Sequence, residues 1–136
     1  MSANLNQEFA KLGHSKLLLN GEFRPNEAVL QQYAPSDTPG IGPHRDPSGL
    51  LNLIVVLLLE GNSCFHICSD KAGRGSIGIP ATPGDLILMR AQGFDSANIR
   101  PYHFVDGIRR RRLSLGMREL TSDPGTQRKI QGLFVT

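Results

Sequence analysis

The chain has 136 residues, a formal net charge of +3, two cysteines and no tryptophan. That length holds a single hydrophobic core, so one domain is expected over 1–136, small for an enzyme. The longest apolar run, Leu53–Leu59, is strand-sized, which excludes a membrane-spanning helix and membrane partners. The first residues lack the apolar stretch of a signal peptide, so a cytoplasmic location is expected.

In chain order, a short helix is predicted over Leu5–Leu12, and everything after it reads as strand and turn. Fifteen glycines and nine prolines punctuate short apolar runs, which favours an all-β barrel or sandwich over a helical bundle. Strands are predicted at Ala28–Tyr33, around His44, and at Leu50–Leu59, Ser63–Cys68, Ser76–Ile79, Asp85–Arg90, Arg100–Val105 and Arg111–Arg118. Pro80-Ala81-Thr82-Pro83-Gly84-Asp85 reads as a turn into a strand, and the tail Lys129–Thr136 as an added edge strand. Eight strands suit a double-stranded β-helix, the jelly-roll arrangement.

Within this frame His44-Arg45-Asp46 and the distant His103 stand out. If residues 43–46 are extended, His44 and Asp46 point to one face, because side chains alternate along a strand. Two imidazoles and a carboxylate with other positions open form the facial triad of non-haem Fe(II) sites. An ordinary turn is the competing reading of Asp46, which precedes Pro47-Ser48-Gly49. Further on, Arg112, Ser114, Gly116 and Arg118 share one strand face, and Leu113, Leu115 and Met117 the other. The expectation is a polar pocket wall on the first face and apolar core on the second.

These motifs resemble the Fe(II)/2-oxoglutarate-dependent dioxygenases, whose pattern is H-x-D, a distal His, and an Arg about ten residues later, here within Arg112-Leu113-Ser114. Over about residues 23–119 the chain looks most similar to the AlkB-type branch, through Phe23-Arg24-Pro25-Asn26, Tyr33-Ala34-Pro35, Pro83-Gly84-Asp85, and Arg112 with Arg118. The resemblance implies Fe(II) on His44, Asp46 and His103, with 2-oxoglutarate as co-substrate and O₂ as oxidant. Arg112 would take the remote carboxylate of 2-oxoglutarate through its guanidinium fork, with Ser114 and Tyr33 beside it. Arg118 would support the oxalyl end or the Asp46 carboxylate. Succinate and CO₂ would be released and the substrate hydroxylated or demethylated. Related halogenases lack the carboxylate, so Asp46 points to oxygenation.

A small molecule or peptide side chain is the favoured substrate, and alkylated nucleic acid the second choice. The Arg109–Arg112 cluster suits phosphate, but basic residues also protect an edge strand from pairing. Gln31 stands where the AlkB pattern has Asn, little chain precedes Tyr33 to form a nucleobase lid, and aromatics for stacking are few. A cupin-like binding jelly roll without turnover is a third reading, favoured by the turn at 80–85 and opposed by the lack of H-x-H with a following Glu. Cys64 and Cys68, about 13 Å apart on an extended strand, are too distant to share an ion or a disulfide, and no chemistry is assigned to them.

Overall fold

The computed structural model describes residues 7, 8, 11, 22–35, 40–94 and 99–122. Eight strands run β1 (Glu27–Tyr33), β2 (Ile41–His44), β3 (Leu50–Glu60), β4 (Ser63–Cys68), β5 (Ile77–Ala81), β6 (Leu86–Arg90), β7 (Tyr102–Asp106) and β8 (Arg112–Leu120). They form two four-stranded sheets, ordered β1-β8-β3-β6 and β2-β7-β4-β5, with every strand pair antiparallel. This is a jelly roll, in which successive strands alternate between the sheets except at the β4–β5 hairpin. Most of the expected helix at 5–12, and the expected edge strand at 129–136, lie outside the described residues. No helix among the described residues is long and apolar enough to cross a membrane.

The main core lies between the sheets, where Ile54 and Leu58 of β3 and Ile87 and Met89 of β6 meet Phe65 of β4 and Val105 of β7. Each such side chain removed from water contributes about 1.5–3 kcal/mol, so the strands with period-two apolar residues fix which faces meet. Pro80 falls inside β5 instead of in the predicted turn. It is tolerated because β5 is an edge strand, where a missing N–H need not break a ladder.

The polar face of β8 is a pocket wall as expected, but its apolar face is not core. Arg112, Ser114, Gly116 and Arg118 are the more buried set, and they face the space between the sheets. Leu113, Leu115 and Met117 are on the outer face and only half-buried. Met117 joins a second cluster there with Phe23, Leu53, Val55 and Phe94. Cross-strand neighbours extend this outer face through Leu30, Leu57 and Leu86, so the apolar side of β8 belongs to a sheet exterior and the polar side to the interior.

Candidate metal centre

β2 and β7 pair so that His44 and His103 are directly opposed across the ladder. Their ring centroids are 4.3 Å apart, with the planes at 54°. Asp46 lies just past the end of β2 rather than within it, and the chain turns immediately afterwards with the Leu50 amide donating to the Pro47 carbonyl. Arg100, just before β7, donates to the Asp46 backbone carbonyl and ties this turn to the strand carrying His103. The Asp46 carboxylate then sits 3.9 Å from Nε2 of His44 and 3.5 Å from Nε2 of His103. Donors ~2.1 Å from an ion and at right angles to one another lie roughly 3 Å apart, so small side-chain rotations would bring all three onto one ion.

The second nitrogen of each ring is already committed. Nδ1 of His44 is 2.8 Å from the Gly42 carbonyl, and Nδ1 of His103 is 3.2 Å from that of Pro101. A carbonyl accepts only from a protonated Nδ1, which leaves Nε2 of each neutral ring with its lone pair toward Asp46. Burial pushes the His103 pKa below its ordinary value; the Asp46 charge opposes this, His44 reinforces it, and the Pro101 carbonyl raises it. A neutral imidazole is the form that binds a metal. Phe65 stacks on the same ring with centroids 5.5 Å apart, holding it against the core.

The three candidate ligands open into a narrow cavity of about 70 Å³ whose far wall is β8. The register places Tyr33 opposite Arg112, Gln31 opposite Ser114, Val29 opposite Gly116, and Glu27 opposite Arg118. On the other side, β3 sets Leu58, Val56 and Ile54 beside Ser114, Gly116 and Arg118. One flank of the wall is therefore largely polar and the other apolar. A second groove, lined by Gln32, Arg45 and Pro47 among others, shares Tyr33, Ile41, His44 and Asp46 with the pocket and forms an approach from the β1 side.

Arg112 is 2% exposed. Its Nε donates to the Ser63 hydroxyl and one terminal nitrogen to the Ser114 hydroxyl, each at 2.9 Å. The guanidinium also lies 5.5 Å from the Tyr33 ring centre. No carboxylate of the described residues pairs with it, and burial lowers its pKa, partly countered by Tyr33. The Tyr33 hydroxyl is raised by burial, lowered by Arg112 and raised by Asp46. Arg118 also lines the pocket but forms an ion pair with Glu27 of β1.

Of the residues singled out from the sequence, His44, Asp46, His103, Arg112, Tyr33 and Arg118 line this pocket, and Ser114 stands behind Arg112, accepting its hydrogen bond. Ser63, Arg100 and Glu27 were missed. Each acts through a cross-strand or cross-loop contact that has no local signature. Arg109 and Arg110 are exposed, and Arg111 pairs with Glu60 on the surface, so the rest of the arginine cluster stays outside.

No family model and no curated protein matches this chain. Among solved structures, one titled as Drosophila melanogaster CENP-C bound to CAL1 is similar at TM-score 0.48 and 8% identity, covering 86% of this chain and 98% of that one.

Proposed function

We propose that the chain is a non-haem Fe(II)- and 2-oxoglutarate-dependent oxygenase that hydroxylates or demethylates a small molecule or a peptide side chain. The observation that carries this reading is the convergence, in one pocket, of a His-Asp-His donor set and a buried guanidinium that no carboxylate among the described residues neutralises. A buried charge without a partner is costly, and a dicarboxylate bound between the two features would supply the missing one.

In this reading Nε2 of His44, Nε2 of His103 and the Asp46 carboxylate hold the iron. Fe(II) with a chelating 2-oxo acid and O₂ supplies an oxidant for C–H bonds, with succinate and CO₂ as co-products. Arg112 receives the remote carboxylate of the co-substrate through its two-pronged donor edge, and Ser63 and Ser114 hold that edge in one orientation. Tyr33 closes the same end. Val56, Phe65 and Val105 keep water from the pocket between the two ends, and Gly42 and Pro101 hold the imidazoles in the metal-binding tautomer. The groove past Gln32 and Arg45 admits the substrate.

The test is succinate release with a panel of small molecules, peptides and alkylated oligonucleotides, together with slow turnover without substrate. Iron-dependent succinate formation that disappears in His103→Ala is expected. Succinate no higher than in His103→Ala under every condition would overturn the assignment.

A further inference from the structure

On the outer face of the second sheet, away from the pocket, Cys64 and His66 are two residues apart on β4 and so point the same way. Asp106 of β7 is the direct cross-strand partner of Cys64. One donor atom from each of the three lies within 4.8 Å of the other two. His66 Nε2 is 2.8 Å from the Asp106 carboxylate. The ring stacks flat on Phe104, with centroids 4.4 Å apart and planes within 2°, which fixes its orientation. Its other nitrogen, Nδ1, is buried and has no hydrogen-bond partner among the described residues. An ion shared with Asp106 would be bound through Nε2, the ring nitrogen that faces that carboxylate.

The neighbouring strand makes room for this group. Gly78 of β5 is the cross-strand partner of His66, and a Cβ there would lie 2.8 Å from the Cys64 sulfur and 3.3 Å from the His66 ring. A larger residue would push the thiol and the imidazole out of their present positions.

We propose that Cys64, His66 and Asp106 form a second metal site that takes a zinc-class divalent ion, with the fourth position of a tetrahedron open to solvent. One sulfur, one imidazole nitrogen and one carboxylate oxygen match the mixed ligand preference of zinc, whereas the oxygen-only cations have no use for the thiolate. Donors at zinc distances in a tetrahedron are roughly 3.3–3.6 Å apart, within reach of the present arrangement. Asp106 is 39% exposed at its side chain, which gives an ion a path in. Burial, and after it the charge of Asp106, raises the Cys64 thiol above its ordinary value, while a hydrogen bond with the Ile79 backbone opposes them. The resting thiol therefore keeps its proton and gives it to solvent when the ion binds. Cys68 is not part of this group: the partner of Cys64 is delivered by β7, and the Cys68 thiol turns instead to the Asp70 carbonyl.

Cobalt(II), a spectroscopic stand-in for zinc, tests this under reducing, oxygen-free conditions. The protein to use carries His44→Ala and His103→Ala, so that the outcome is independent of the iron proposal. Only a thiolate ligand gives the intense near-ultraviolet sulfur-to-cobalt absorption. One equivalent of cobalt should produce that absorption, and zinc should displace it. Adding Cys64→Ser should abolish it, while Asp106→Asn and Gly78→Ala should weaken cobalt roughly tenfold or more. Cys68→Ser should leave it unchanged. Absence of the absorption, or its survival in a Cys64→Ser protein whose circular dichroism matches the parent, would overturn the proposal.

Discussion

At Arg112 the guanidinium is held by two serine hydroxyls rather than by an acid, and this sets what the side chain can do. Lysine in its place keeps a charge but loses the paired donors, so Arg112→Lys should weaken 2-oxoglutarate at least tenfold and iron much less, measured by separate titrations. Arg111→Lys should change neither, since Arg111 pairs with Glu60 at the surface. Arg118 differs because it has an acid partner. Arg118→Ala would leave Glu27, only 21% exposed, without its ion pair and should cost roughly 3 kcal/mol, read as a lower melting temperature along with poorer iron retention. A variant that melts normally and turns over normally would remove Arg118 from the site.

His103 carries a pH dependence whose sign follows from its burial. The folded-state pKa is below the ordinary value of 6.5, so below about pH 6.5 the unfolded chain binds the proton first. Stability of the metal-free protein is full above that pH and falls as the pH drops toward the folded value. The melting temperature should therefore fall between about pH 8 and about pH 5 in the parent, and less so in His103→Gln.

Among the elements, β8 decides most of the site. Gly116 sits in the pocket wall between Ser114 and Arg118, and a Cβ there would meet nothing closer than the Val29 carbonyl oxygen at 3.7 Å. Gly116→Val should fold yet fill the pocket, weakening 2-oxoglutarate with little change in melting temperature. Gly61, which leads from β3 into β4, is the opposite case: its φ is +82° and a Cβ would collide with the Arg111 backbone carbonyl. Gly61→Ala should cost more than about 1 kcal/mol by chemical denaturation and disturb the start of β8.

The alternation at 112–118 was legible because strand period is two, and it correctly grouped Arg112, Ser114, Gly116 and Arg118. Which group faces inward was not legible from β8 alone. That depends on Tyr33, Gln31 and Glu27 of β1 and on Leu58, Val56 and Ile54 of β3, whose register is a long-range choice. Ser63 and Arg100 have a related explanation, since Ser63 meets Arg112 between the two sheets and Arg100 meets the Asp46 carbonyl in a turn, contacts that sequence spacing does not record. Asp46 was readable as a neighbour of His44 from the triplet, although it lies beyond the strand and is positioned by a turn and by Arg100.

For the whole molecule, the two sheets meet at the candidate site: the chain at β2 and β7 brings the candidate metal donors, and β1 and β8 the opposite wall of the pocket. Ligands that bridge them should stabilise the fold as a unit. At a hundred times its dissociation constant, a ligand specific to the folded state adds about 2.7 kcal/mol, worth roughly 10 °C in melting temperature for a domain of this size. The most direct measurement is the visible absorption of the protein mixed anaerobically with Fe(II) and 2-oxoglutarate, compared among the parent, His44→Ala, His103→Ala and Arg112→Lys. The account predicts the charge-transfer band of an iron-chelated 2-oxo acid in the parent, its loss in both histidine variants, and its appearance in Arg112→Lys only at higher 2-oxoglutarate. An unchanged band in both histidine variants, or no band in the parent at saturating ligand, would contradict it.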